Sequence, residues 1–300
     1  MSPTVDILCS VSSDLERSVE NTKFSAKLMT QNEKALRFQE FHKRPGVLLL
    51  PNPWDAGSAR ILAGLGFEAL ATSSGAAAGT FGRRDGQLTR DEALESVRAI
   101  VNATDLPVSG DLENGFGDSP EAAAQTVRLA AEIGLVGCSI EDASQEKIPQ
   151  LYDFQLATER IAAAVQAAKS LPFPFTLLAR AENFVRGKPD LDDAIKRLLA
   201  YQGAGANAIS APGLPDLVAV RAVCSAVPKP VNFMVGGRGR SFSVPQLIEA
   251  GVKRISFATS LYRAAMTGFI QAASEIKQNG TFGFVDNAII TAELNKYFPH

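Results

Sequence analysis

Histidine is close to absent from this 300-residue chain, which has two, His42 and His300. A mechanism built on an imidazole base, or on a metal held by imidazoles, is therefore poorly supplied. Cysteine is scarce too. Cys9, Cys138 and Cys224 are scattered, none has a C-x-x-C neighbour, and three thiols cannot form a disulfide framework, so a reducing compartment is the default. Cys138 lies in an apolar run, Val136 to Ile140, and reads as a small core residue. Charge of one sign is missing as well. The 30 Lys and Arg against 32 Asp and Glu leave a net charge of -2, which gives no footprint for nucleic acid or an acidic membrane surface. No apolar run approaches the roughly 18 to 20 residues of a membrane span. The first ten residues also lack the basic stretch of an export signal, so the chain reads as cytoplasmic.

What remains is a globular composition, 46% hydrophobic and 21% charged, carrying one repeated pattern. An apolar strand, a loop of small or polar residues, an amphipathic helix and a glycine recur. Strands read near residues 46–51, 69–72, 108–111, 137–141, 176–180, 208–210, 231–234 and 254–257. The phrases Ala63-Gly64-Leu65-Gly66, Glu132-Ile133-Gly134, Gly203-Ala204-Gly205 and Ala250-Gly251-Val252 occupy the same place in the unit, where a helix turns into the next strand. Eight such units predict a (β/α)8 TIM barrel over residues 31–280, with a doubly wound sheet as the alternative. Residues 1–30 read as an N-terminal arm and 281–300 as a C-terminal helical extension.

In a barrel of this kind the active site lies at the C-terminal ends of the strands. The third strand ends in Asp111-Leu112-Glu113-Asn114-Gly115-Phe116-Gly117. Two carboxylates at spacing two share one side of a pleat and repel unless something positive sits between them. A hard divalent cation, Mg²⁺ with Mn²⁺ as a substitute, takes oxygen ligands of this type, whereas structural zinc wants Cys and His. Other strand ends converge on the same place: Thr72-Ser73-Ser74-Gly75-Ala76, then Arg84-Asp85, Glu141-Asp142, Arg180 with Glu182, Ser210 and Asn232. Carboxylates around a cation plus one guanidinium make a site for a small anionic substrate.

These residues carry a resemblance. Thr72-Ser73-Ser74-Gly75, Arg83-Arg84-Asp85, the Asp111 to Gly117 run, Ser139-Ile140-Glu141-Asp142 and Ala179-Arg180-Ala181-Glu182-Asn183 are similar to motifs of the isocitrate lyase and phosphoenolpyruvate mutase superfamily, from about Arg44 to Gly268. The resemblance implies a barrel whose eighth helix is exchanged between subunits, giving a homodimer or homotetramer. It also implies Mg²⁺ held by Asp85, Asp111, Glu113 and Glu141, with Ser74, Gly75 and Ala76 holding a substrate carboxylate and Arg180 binding its oxygens. Asn232 joins the substrate-binding candidates. The usual second acid of the strand-three motif is Asp, so Glu113 is one methylene longer.

The departures bear on the reaction. Isocitrate and methylisocitrate lyases carry a Lys-Lys/Arg-Cys-Gly-His loop after strand four, where this chain reads Asp142-Ala143-Ser144-Gln145-Glu146-Lys147-Ile148-Pro149, with neither Cys nor His. Phosphonate-cleaving members carry a Lys at the position of Ala143. After strand six, Ala211 and Pro212 replace a polar residue near the substrate. The expectation is a Mg²⁺-dependent lyase for a small 2-oxo or 2-hydroxy dicarboxylate, working through an enolate, with Asp85, Arg180 and Lys147 as catalytic candidates. Protons would come from water, Lys147 or Tyr152. A phosphorus–carbon mutase or hydrolase of the phosphonopyruvate type and a non-catalytic 2-oxo acid binding protein are the alternatives.

Overall fold

The computed structural model describes residues 28–144 and 150–298. Eight strands alternate with helices: β1 (Leu48–Leu50), β2 (Leu70–Ala71), β3 (Val108–Asp111), β4 (Gly137–Glu141), β5 (Thr176–Arg180), β6 (Ala208–Ser210), β7 (Val231–Met234) and β8 (Arg254–Ser256). All ladders are parallel, and the order β1-β8-β7-β6-β5-β4-β3-β2 runs round without a reversal. At the remaining seam the Ala71 N–H donates to the Pro51 carbonyl at 3.0 Å, and Asn52 Nδ2 donates to the Thr72 carbonyl at 2.6 Å. The sheet closes on itself as a (β/α)8 barrel, and the doubly wound alternative falls.

Local sequence explains the elements. At Gly137 a Cβ would stand 2.5 Å from the Thr176 carbonyl oxygen, so only glycine lets β4 lie this close to β5. Helix α4 (Arg90–Ala103) opens on a Thr89 and Glu92 capping box. Helix α5 (Pro120–Glu132) has proline in its first turn behind a Ser119 cap. Helix α7 (Leu191–Ala204) ends at Gly205, whose φ of 108° is left-handed and favours glycine. Together with α6 (Phe154–Lys169) and α8 (Leu217–Ala226), the apolar faces of α4, α5 and α7 pack on the strands as one cluster around Val127, Ile140, Ile161, Leu177, Leu198 and Val223. Each such fully buried side chain contributes about 1.5–3 kcal/mol.

Helix α1 (Gln31–Lys43) covers the N-terminal end of the barrel, where Ala35, Phe38 and Phe41 pack on Leu48, Leu50, Ala69, Ala71 and Val136. Just above it lies a buried cation without a carboxylate partner among the described residues. Arg254 of β8 is 2% exposed and donates from Nε to Asn232 Oδ1 at 3.2 Å. Its guanidinium stands 5.8 Å over the Phe38 ring and 3.4 Å from His42 Nε2. The other His42 nitrogen, Nδ1, donates to the Phe38 carbonyl at 2.7 Å, which leaves Nε2 as the acceptor of the neutral ring.

One element departs from expectation. Ser74–Thr80 forms a helix, α3, where the sequence reads as a loop, because Ser73 caps an Ala-rich run. Helix α10 (Ser260–Asn279) buries none of its 20 residues, with Phe269 at 66% and Ile270 at 60% exposure. The segment after it holds a 3₁₀ turn (Gly283–Asn287) and α11 (Thr291–Asn295). There the Tyr297 ring lies against Gly64, so close that a Cβ would meet it at 2.6 Å. Residues 1–27 of the expected arm lie outside the described residues. Among the described residues no helix is long and apolar enough to cross a membrane.

Candidate active site

The C-terminal strand ends open into a cavity of about 730 Å³ whose walls carry Asp85, Asp111, Glu113, Glu141, Glu182, Arg84, Arg180 and Arg186. Arg180 stands at its centre. Register places Glu141 of β4 beside Arg180 of β5, and Asp111 of β3 beside Ser139 of β4. The guanidinium spends each nitrogen on a different acid: Nη1 on Asp111 Oδ1, Nη2 on Glu141 Oε2 and Nε on Glu182 Oε1, each at 2.9 Å. Burial works against its charge, but Glu182, Glu141 and Asp111 outweigh it and hold its pKa well above the ordinary value.

Asp111 is the most connected carboxylate. Its Oδ2 accepts from both the N–H and the hydroxyl of Ser74 at 3.2 Å, and its Oδ1 also accepts from Ser139 Oγ at 3.1 Å. Glu141 is shared, since Arg186 Nη2 reaches its Oε1 at 3.0 Å. Burial, then repulsion by Glu182, raises the Glu141 carboxyl above the usual carboxylate range against the pull of Arg180. Asp85 is raised in the same sense, first by partial loss of solvent and then by Asp111, with the Ser74 hydrogen bond opposing. Its loop is exposed, so solvent screening damps the effect. Glu113 sits at φ 50°, a left-handed conformation that costs a non-glycine residue about 1–2 kcal/mol. Its carbonyl accepts the Glu141 N–H at 2.9 Å, which ties the β3 and β4 loops together.

The donor set suits a hard divalent cation in kind. All of the acids offer oxygen, and five carboxylates (Asp85, Asp111, Glu113, Glu141, Glu182) face three guanidiniums (Arg84, Arg180, Arg186), a surplus of two negative charges. The orientation differs from expectation. Among the described residues no three acidic, His or Cys side chains are grouped so as to hold a metal. Asp111 and Glu141 face Arg180 instead, so a cation and Arg180 draw on the same oxygens.

The structure brings most of the expected site residues to this cavity and places others elsewhere. Ser73 and Ser74 line it. Gly75 and Ala76 do not; the Ala76 N–H is spent on Ser73 Oγ at 3.3 Å. A Cβ at Gly75 would stand 2.9 Å from Thr259 and 3.0 Å from Asp85 Oδ2, so this glycine makes room for Asp85. Asn232 lies in the barrel interior, where its Nδ2 donates to Ser256 Oγ at 3.0 Å and its Oδ1 accepts from Arg254. Tyr152 is withdrawn as a proton source. Its hydroxyl donates to Asp118 Oδ1 at 2.6 Å and accepts from Asn114, and burial pushes its pKa up to about 12. Lys147 lies outside the described residues. The base of its loop is pinned where Ala143 bridges Leu151 and the Ser144 N–H donates to the Gln150 carbonyl at 2.8 Å.

Glu182 was read as part of this strand end without an assigned role, and Arg186 was not among the expected site residues. Glu182 had a signal, since it follows Arg180 at the spacing of a pleat. Arg186 had none, because a turn that returns the Arg186 N–H to the Glu182 carbonyl at 3.0 Å brings it back to the cavity. Met234, the last residue of β7, and Ala258 and Thr259, which follow β8, also line the wall.

With this geometry in place, comparison with known proteins is decisive at the level of family. The family model for phosphoenolpyruvate phosphomutase matches residues 38–277. The chain belongs to the isocitrate lyase and phosphoenolpyruvate mutase superfamily. A crystal structure from Burkholderia cenocepacia J2315, described only as a candidate lyase/mutase, is 49% identical with a TM-score of 0.87 and covers 89% of this chain and 97% of its own. The 2-methylisocitrate lyase of Halalkalibacterium halodurans is 29% identical over 84% of this chain and 85% of its own length. Oxaloacetate decarboxylase 2 of Pseudomonas fluorescens is 30% identical over 77% and 79%. Membership of this superfamily of lyases and mutases makes the chain an enzyme.

Proposed function

We propose that the protein is a Mg²⁺-dependent carbon–carbon lyase that cleaves a small 2-oxo or 2-hydroxy dicarboxylate through an enolate. The observation that carries this reading is Arg180, a permanent cation held among Asp111, Glu141 and Glu182 in a cavity that among the described residues is lined by neither histidine nor cysteine. Such a site can stabilise developing negative charge, and its described lining offers carboxylates rather than an imidazole base or a thiol acid. Decarboxylation next to a 2-oxo group fits these means directly, retro-aldol cleavage would in addition hand the hydroxyl proton of the substrate to one of the site carboxylates, and relatives carrying lyase and decarboxylase names support the reading.

Asp85, Asp111, Glu113 and Glu141 would hold the cation, which when bound polarises the 2-oxo oxygen. Arg180 would bind substrate oxygens through nitrogens that Asp111 and Glu141 give up when they turn to the metal. Ser74 orients Asp111, and the strained loop at Glu113 fixes the neighbouring strand ends. Helix α10, with its exposed apolar residues, would be covered by a second copy of the chain, as expected for an exchanged eighth helix.

A phosphorus–carbon reaction is the second reading, favoured by the phosphomutase description of the matching family. Incubating the enzyme with oxaloacetate, alkylmalates and phosphonopyruvate separates the two. Release of a 2-oxo acid from the carbon substrates supports the lyase, and turnover of phosphonopyruvate alone overturns it.

A further inference from the structure

Arg186 is a cation that the mechanism above leaves unused. It lines the same cavity as Arg180, from the loop after β5. Arg180 is neutralised by three carboxylates, whereas the ion pair of Arg186 is with Glu141 alone, and Arg180 already occupies the other oxygen of that group. Arg186 thus makes one ion pair, through Nη2, where Arg180 makes three. The Nε of Arg186 is buried and has no hydrogen-bond partner among the described residues, which is a costly state for a donor.

The side chain is also built in place. The Arg186 N–H donates to the Glu182 carbonyl at 3.0 Å, and the Lys188 N–H donates to the Asn183 carbonyl at 2.9 Å. Asn183 Nδ2 anchors the turn to Asp193 of α7 at 2.7 Å. Side-chain exposure is 29%, against 13% for Arg180, so Arg186 is the less enclosed of the two guanidiniums. A cavity of about 730 Å³ is far larger than a 2-oxo carboxylate head alone requires.

We infer that Arg186 is a specificity-determining residue: its part-exposed guanidinium takes the second acidic group of the substrate, so that the site selects diacids over monoacids. This rests on the proposed reading of the cavity as a site for a 2-oxo or 2-hydroxy acid. The fork geometry of a guanidinium suits a carboxylate, and Arg186 needs no metal to hold it.

Malate and lactate differ chiefly in the distal carboxylate, and calorimetry on the full chain with Mg²⁺ present measures both. The wild type is expected to prefer malate, and Arg186→Gln to lose about 10- to 100-fold in malate affinity with lactate unchanged. Arg186→Lys, which keeps the charge, should restore part of the preference, and matched melting curves show that both variants fold. A malate preference that survives in Arg186→Gln overturns the role of Arg186 and leaves the proposed site standing. Equal loss of both ligands assigns Arg186 to holding Glu141 and overturns it as well. Failure of the wild type to bind either acid removes the reading on which the inference depends.

Discussion

Arg180 and Asp111 meet at 2.9 Å across the mouth of the barrel, Nη1 to Oδ1, although they come from strands that are not neighbours. The strand between them, β4, contributes Glu141 to the same guanidinium. Positive charge at the centre of this site is thus supplied by the chain itself. On the proposed reading a divalent cation would compete with Arg180 for two carboxylates, so that its binding and the release of the arginine fork would be one exchange.

Substitutions at Arg180 should divide accordingly. Arg180→Ala leaves three acids without their cation, and breaking even one buried ion pair costs about 3–5 kcal/mol, so this variant should fold poorly. Arg180→Lys keeps the charge but not the fork. Its kcat/KM should fall by about 1.5–3 kcal/mol in transition-state terms, measured by steady-state kinetics on a protein with a near-normal melting curve. Unchanged kinetics would remove Arg180 from the substrate.

Helix α10 gives a prediction about assembly. Phe269 and Ile270 are more than half exposed, and an apolar groove of Trp54, Ile61, Leu62 and Leu261 adjoins the start of the helix. If α10 is the contact between subunits, as proposed, the wild type should sediment as an oligomer and changing Phe269 and Ile270 together to Asp should give smaller species in sedimentation velocity, since charge cannot be buried at an apolar interface without large cost. A sedimentation coefficient equal to that of the wild type would show that α10 is not the contact.

Acid stability should depend on His42. Burial, followed by the nearby Arg254 charge, lowers its pKa to about 4 from the ordinary 6.5. Between those values the unfolded chain binds the proton and the native chain does not, so stability falls as pH drops from 6.5 towards 4. The effect amounts to at most about 3 kcal/mol. His42→Gln should flatten the melting temperature across that window relative to the wild type. Parallel curves for the two proteins would assign the acid sensitivity to other groups.

Much of this was legible in the sequence, for reasons that can be named. Strand ends such as Asp111, Glu141 and Arg180 were readable because the barrel repeat fixes where each strand stops, and barrel topology then brings the ends together. The partners of Arg180 were not readable. Which acid faces a guanidinium depends on register between strands distant in sequence, and the place of Asn232 depends on which face of β7 turns inward. Helix α3 was hidden because Ser74 and Gly75 read as turn residues, while the cap at Ser73 that starts the helix has the same composition as a loop.

The most direct test of the central claim is release of a 2-oxo acid from oxaloacetate by the full chain, followed with added Mg²⁺ and with EDTA, alongside Asp111→Ala. In that variant Arg180 keeps Glu141 and Glu182, so the fold should persist. The account predicts turnover with Mg²⁺, its loss in EDTA and its recovery on adding Mg²⁺ back, with no turnover by a folded Asp111→Ala protein. Equal rates in EDTA and Mg²⁺, or full activity in Asp111→Ala, would contradict it.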